Sequence, residues 1–277
     1  YTLIYCRFSN VLTVEPLAGL CNRIRVIDAA LAFAKKLNKP LRILWYNNQF
    51  LNCPFNRLFY IPEDIAEFKQ IDYFSPLAPL RYKLSRYVYP FIYSRYINRR
   101  TSNRLLAEKS DYMQYQNMPS LKITTCHRFH VGELGYKYFK PVAAIDDMVD
   151  ACTRHFRTHT VGIHIRRTDH VSSIATSKSN DFVRSMRQCI NEQPDCQFFL
   201  ATDSFEEERR LIEMFPERII CHQKRSLERN CPEAIEDALV DLMCLAKTKR
   251  IIGSFASSFS ETAAEIGKIK LSIAQSS

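Results

Sequence analysis

The chain has 277 residues, 46% of them hydrophobic, and a formal net charge of +10. That length buries one large core or two of ordinary size, and the apolar content excludes a disordered chain. The basic excess points to anionic partners, while no apolar run approaches the roughly 18 residues of a spanning helix. Ten cysteines include no C-x-x-C pair. Several fall at apolar positions of expected helices or strands, so they read as buried thiols in a reducing compartment rather than as a disulfide framework.

In chain order, Val11–Glu15 predicts a first strand, followed by the turn Pro16-Leu-Ala-Gly19. A helix from about Asn22 to Leu37 shows Ile24, Ile27, Leu31 and Ala34 on one face, and Leu41–Trp45 predicts the strand that completes a βαβ unit. Tyr73–Ala107 is different: it holds no acid, seven cations (Arg81, Lys83, Arg86, Arg95, Arg99, Arg100, Arg104) and many interleaved tyrosines. This composition suits a membrane interface or a polyanion. It equally suits a surface helical insertion whose tyrosines pack on the domain and whose arginines are solvated. The second half alternates more regularly. Strands near 160–165, 197–202, 218–222 and 249–253 are expected between helices near 179–192, 205–215, 233–247 and 258–267. The expectation is an α/β protein of two Rossmann-like domains, 1–145 and 146–277, whose parallel sheets face a cleft.

Chemistry-bearing residues gather at the ends of the expected strands. Gly19, with Asn22 in the following helix start, permits a tight turn and offers free N–H groups to an anion, although ordinary capping explains the pair as well. Val161–Asp169 delivers His164, Arg166, Arg167 and Asp169 beyond a strand end, where open α/β sheets bind ligands. Two adjacent guanidiniums match the oxygens of a diphosphate; a solvated Arg-Arg turn is the plain alternative. The diphosphate reading requires Arg166 not to be bonded to a neighbouring carboxylate. Asp203 ends another strand, either as a ligand group or as an acid beside a helix start that Ser204 and Glu207 cap. Asp241 sits in an apolar helix and needs a partner, and two hydrogen bonds from a guanine edge would supply one. Ser254, Ser257, Ser258 and Ser260 open the last helix as a phosphate-binding nest, with Glu261 at capping-box spacing from Ser258. The pairs His127/His130 and His155/His159 lack completing ligands, and no metal is expected. The P-loop, nucleophile-elbow and H-E-x-x-H motifs are missing from the sequence.

Taken together, Gly-Leu-Cys-Asn-Arg at 19–23, His-Ile-Arg-Arg-Thr-Asp at 164–169, Ala-Thr-Asp-Ser at 201–204, and Val-Asp with Gly-Ser-Phe-Ala-Ser-Ser at 240–258 resemble the α-1,6-fucosyltransferase and protein O-fucosyltransferase superfamily, including the nodulation fucosyltransferases. The likeness is dense over 160–267 and thin over 11–46, and 47–140 carries none of it. The sixteen-residue spacing from Asp241 to Ser257 also matches. The resemblance implies a GT-B fold and inverting, metal-independent transfer of L-fucose from GDP-β-L-fucose to a glycan or lipid-linked glycan, with no cofactor. It implies that His164 and Asp241 read guanine and that Arg166 binds the β-phosphate, with Ser257 and Ser258 assisting. Arg167, Thr168 and Asp169 would shape the loop, Asp169 being with His170 and Glu15 a candidate catalytic group in place of the family's base, while Gly19 and Asn22 would face the donor. The family's glutamate five positions after Asp169 is replaced by Ile174, which leaves the base for the acceptor hydroxyl unassigned. The alternative is a non-catalytic protein on a degenerate transferase fold that binds a polyanion or membrane surface through Arg81–Arg104. Nucleic acid is not expected as a partner. The expected location is cytoplasmic and peripheral to the inner membrane face. It becomes the Golgi or ER lumen if an N-terminal anchor preceded Tyr1.

Overall fold

In the computed structural model, residues 10–131, 136–168, 171–228 and 230–275 are described. The chain divides into two compact units, Tyr1–Val142 with Arg229–Pro232, and Ala143–Glu228 with Glu233–Ser277.

The first unit contains β1 (Leu12–Pro16), α1 (Leu20–Leu37), β2 (Leu41–Asn47), β3 (Ile65–Asp72), α2 (Ala78–Ile92), β4 (Arg95–Ile97), α3 (Arg99–Ala107) and β5 (Leu121–Thr125). Its strands form one parallel sheet in the order β3-β2-β1-β5-β4. Central β1 is buried throughout. Successive residues of a strand face opposite sides, so Leu12 and Val14 lie on one face and Thr13 and Glu15 on the other. The register Thr13↔Lys122 and Glu15↔Thr124 adds two more polar groups to that second face. A polar sheet face needs a polar cover, and α2 with its C-cap supplies it with tyrosines: Tyr93 Oη, at the cap, donates to Thr13 Oγ1 at 3.2 Å and Tyr82 Oη to Glu15 Oε1 at 2.8 Å. The basic, tyrosine-rich segment is therefore part of this unit's core on one side. Its other side is exposed, and there Leu77, Leu80, Leu84, Tyr87, Val88 and Phe91 follow one another at helical spacing.

The second unit contains α4 (Ala143–Thr153), β6 (Thr160–Ile165), α5 (Val171–Thr176), α6 (Ser179–Glu192), β7 (Gln197–Thr202), α7 (Phe205–Met214), β8 (Ile219–Ile220), α8 (Pro232–Ala246), β9 (Arg250–Gly253), α9 (Ser258–Gly267) and β10 (Lys270–Ile273). Its parallel sheet runs β10-β9-β6-β7-β8. Strand β6 is central and wholly buried, because Val161, Ile163 and Ile165 join Phe182, Met186, Phe198 and Leu200 in the core. The alternation of strand and helix expected for this half holds, with β10 as an added edge strand. Two parallel five-stranded sheets, each with helices between its strands, make the α/β arrangement of the GT-B class.

Candidate nucleotide-sugar site

In the second unit the ends of β6, β7 and β9 carry most of the expected ligand groups. Register explains who meets whom. His164 pairs with Gly253, and Ile165 with Thr202, so the residues that follow these strands emerge side by side. Gly253 has no side chain, and a Cβ there would lie 2.5 Å from Ser260 Oγ. The open space lets Ser260 reach His164 Nδ1 at 2.7 Å, while the Phe259 ring stacks on the imidazole at 4.8 Å between centroids. His164 is buried, and burial lowers its pKa to about 3. The ring is thus a neutral hydrogen-bonding group rather than a cation.

Arg166 follows at the strand end. Its N–H donates to Ser254 Oγ at 2.9 Å, and Ser254 N–H in turn donates to the His164 carbonyl at 3.1 Å. Its guanidinium pairs with Asp203, Nη1 to Oδ2 at 3.1 Å. The condition set from the sequence, that Arg166 be held away from any neighbouring carboxylate, is therefore not met, and the cause is the Ile165↔Thr202 register. Asp203 also accepts from the Arg167 N–H at 2.7 Å and from Thr168 Oγ1 at 2.6 Å. It therefore organises the 166–168 loop. The capping of α7 falls to Ser204, whose hydroxyl accepts from Glu207 N–H at 3.2 Å. The Glu207 carboxylate turns instead to Arg210 and Ser179. Arg167 points into its own unit: Nη1 reaches the carbonyls of Arg166 and Ser177, Nη2 reaches Ser179 Oγ, and the guanidinium lies over the Phe182 ring. Asp169 lies outside the described residues. Ile174 is 38% exposed on α5.

The start of α9 matches the expected 258–267, but its N-cap is Ser257 where the Ser258/Glu261 spacing had pointed to Ser258. The helix opens at Ser258, so Ser257 is the N-cap, and among the described residues the Ser257 hydroxyl caps no backbone N–H. Ser254 and Ser257 are buried and Ser258 is half-buried. Ala256 between them has a φ of 51°, which turns the chain sharply into the helix.

Asp241 keeps different company from His164. Its Oδ2 pairs with Lys224 Nζ at 3.3 Å, and Lys224 also holds Glu208 at 3.1 Å. Among the described residues Asp241 Oδ1 is buried without a hydrogen-bond partner. Burial raises the Asp241 pKa to about 6 despite the ammonium. An unsatisfied buried carboxylate oxygen is costly and accepts a donor readily.

The first unit holds the other expected residues. Gly19 is extended (φ −80°), and the left-handed turn falls on Ala18 (φ 69°), so Gly19 is not needed for the turn. Space is nonetheless open around it: among the described residues no heavy atom beyond its chain neighbours would lie within 4 Å of an added Cβ. Asn22 is half-buried in the first turn of α1. Beside it Arg23 is fully buried, donating to the carbonyls of Ala18 and Tyr46 and to Asn48 Oδ1, with Trp45 under its guanidinium. It ties the β1–α1 turn to the end of β2. A cavity of about 290 Å³ opens there, lined by Glu15, Tyr46, Asn48, Tyr73, Tyr82 and Arg86 among others. Glu15 meets Lys122 Nζ at 2.7 Å and Thr124 Oγ1 at 3.3 Å.

Phe259, Lys224, the bonding of Ser260 to His164 and the organising role of Asp203 were not expected from sequence, which read Ser260 as one of the phosphate-binding serines. Phe259 and Ser260 left a weak signal, because a strand-ending glycine opposite a histidine invites a neighbour into the gap.

The architecture is that of the GT-B glycosyltransferases. No family model matches the sequence, and a search of the curated proteins gives no match. Among solved structures, the chain is similar to NodZ α-1,6-fucosyltransferase soaked with GDP-fucose, with 20% identity, 93% of this chain and 92% of that chain covered, and a TM-score of 0.67. It is also similar to a mutant of Arabidopsis thaliana FUT1 in complex with GDP (13% identity, 96% and 70% covered, TM-score 0.62). POFUT1 in complex with GDP has the same fold (12% identity, 95% and 98% covered, TM-score 0.55). These neighbours come from the superfamily that the sequence motifs resemble.

Proposed function

We propose that this chain is a glycosyltransferase that takes GDP-fucose as donor and transfers L-fucose to a glycan with inversion, without a metal ion. The observation that carries the reading is the convergence of His164, Arg166, Ser254 and Ser257 where β6 and β9 end, on the fold shared with proteins that hold GDP or GDP-fucose. The neutral imidazole, braced by Ser260 and Phe259, offers a directional contact to the base. Asp241 Oδ1 is an acceptor suited to the donor edge of guanine. The guanidinium of Arg166 and the serine hydroxyls suit a diphosphate, and a fixed cation at the leaving oxygens stabilises the charge that develops as the sugar–phosphate bond breaks.

The Asp203 carboxylate pairs with the Arg166 guanidinium. The pair is about one-fifth exposed on each side. Such pairs contribute about 1 kcal/mol or less, whereas a diphosphate brings more charge and bidentate geometry. The acceptor glycan fits the tyrosine-lined cavity of the first unit, since aromatic rings and polar side chains suit a sugar's two kinds of face.

Calorimetry with GDP, UDP and ADP tests the reading. GDP should bind and the others should not, and Arg166→Ala should weaken GDP binding at least tenfold while circular dichroism is unchanged. A purely structural Arg166 predicts the opposite, a lower Tm with GDP binding intact. Equal binding of all three nucleotides removes the reading altogether.

A second role is favoured by one observation. The outward stripe of α2 is apolar at every turn, with Tyr87 69% and Phe91 83% exposed, and Arg81 and Lys83 flank it. An amphipathic helix of this kind lies in the interface of an anionic membrane, which would bring lipid-linked acceptors to the enzyme at the cytoplasmic face. Among the described residues no helix is long and apolar enough to cross a membrane. Flotation with phosphatidylserine vesicles should retain the chain at low salt, and Leu84→Glu with Phe91→Glu should release it. Retention by the double variant would refute this role.

A further inference from the structure

Four groups of the second unit that the donor site does not use converge from three elements. Cys152 lies in the last turn of α4, His222 in the segment after β8, and Asp237 and Cys244 on one stripe of α8, seven residues apart. His222 Nδ1 is 3.9 Å from Cys152 Sγ, and His222 Nε2 is 3.1 Å from Asp237 Oδ1. Arg225 fixes Asp237 through its backbone N–H at 2.7 Å and its guanidinium at 2.7 and 3.0 Å. On the other side Cys244 faces the end of α4 from α8: its Sγ lies 3.9 Å from the carbonyl of Val149, one turn before Cys152. Cys152 is partly exposed and Cys244 is buried.

This is a thiol whose imidazole is oriented by a carboxylate, with a second thiol at its back. A histidine held by an acid stabilises the neighbouring sulfur as thiolate, and the thiolate is the reactive form. The titratable groups facing Cys152 are His155 just beyond α4, Cys221 and His222 from the segment after β8, and Cys244 from α8, with Asp241 acting on Cys221, His222 and Cys244 in turn. Burial favours the neutral His222 ring, but its hydrogen bonds to Asp237 and Cys152 outweigh this and raise it to about 9. Hydrogen bonds from Cys244 and His222 outweigh burial at Cys152 and hold its thiol well below the ordinary range. None of the described cysteines forms a disulfide, and no described residues group as a metal site.

We propose that Cys152 is an oxidative modification site, with Cys244 as its resolving thiol. The Cys152 thiolate attacks the O–O bond of a peroxide. The sulfur is oxidised by two electrons to a sulfenic acid, and the peroxide is reduced to the corresponding alcohol or water after taking a proton. The Cys244 thiol then forms an S–S bond to Cys152, and the sulfenic oxygen leaves as water with the Cys244 proton. The assignment does not depend on the transferase reading, because every readout is at sulfur.

The test uses the reduced full-length chain. One equivalent of hydrogen peroxide, followed by non-reducing peptide mapping, should yield a Cys152–Cys244 linked peptide two hydrogens lighter than its parts. With Cys244→Ser, dimedone should instead trap a sulfenic acid on Cys152. Iodoacetamide labelling of Cys152 should already be level between pH 7 and 8, whereas a free thiol of ordinary pKa gains about tenfold over that unit. His222→Gln should restore the ordinary rising profile. The parent's own profile keeps the test decisive should that variant unfold. Oxidation of Cys126 or Cys231 ahead of Cys152, a rising profile at Cys152, or no dimedone adduct in Cys244→Ser would each overturn the proposal.

Discussion

Glu15→Gln should destabilise the first unit by about 3–5 kcal/mol, the usual cost of stranding one partner of a buried ion pair. The structure supplies the ingredients. Glu15 and Lys122 are 1% and 0% exposed, and their charged atoms are 2.7 Å apart. Glutamine keeps the shape; with its oxygen at the Oε2 position it still accepts from Thr124 and Lys122, and the Tyr82 hydroxyl at the Oε1 position turns to accept from the amide, so the loss is chiefly the charge facing the ammonium. The only other group described at Lys122 Nζ is the Tyr89 ring, 4.3 Å away, which cannot replace a carboxylate. At a urea slope of about 2 kcal/mol/M the midpoint should fall by roughly 1.5–2.5 M. The single tryptophan, Trp45, is buried in this unit, so its fluorescence reports this unit's unfolding. Adding Lys122→Met should recover most of the loss, because no bare charge then remains. A midpoint shift below about 0.5 M for the single variant, or a double variant less stable than the single, would refute the reasoning.

Three further outcomes follow from the second unit. Gly253→Ala should lower the Tm by several degrees, since overpacking costs about 1–3 kcal/mol, and should weaken GDP binding by pushing Ser260 off His164; an unchanged melting curve with unchanged affinity would contradict it. Burial alone would raise the Asp237 pKa, but its bonds to His222 and Arg225 prevail and lower it from 3.8 to about 2. Its contribution, about 2 kcal/mol, is therefore present above pH 4 and lost as pH falls towards 2. For His222 the sign reverses: its pKa is raised from 6.5, so its contribution is full below pH 6.5 and lost as pH rises through about 9. Ring-proton resonances should show His222 titrating near 9 in the parent and below 6.5 in Asp237→Asn; titration near 6.5 in the parent would disprove the coupling.

What sequence alone determined was the second unit. Its strands and helices alternate with clean periods, so their order, the helix at 179–192 and the strand ends bearing His164, Arg166 and Asp203 were legible. The first unit was legible only through its opening βαβ. Strand β3 lies at a sheet edge and is largely exposed, β4 has three residues, and β5 buries Lys122, a residue that reads as surface until Glu15 is seen opposite. Partners across strands were decided by tertiary structure alone. A hydrogen bond between His164 and Ser260, 96 residues apart, depends on strand register and on the missing side chain of Gly253. So does the pairing of Arg166 with Asp203, which sequence placed on separate strands without saying that the two strands are neighbours. Local periodicity records which face of an element is buried. Only the closed sheet determines which charge or ring will be waiting there.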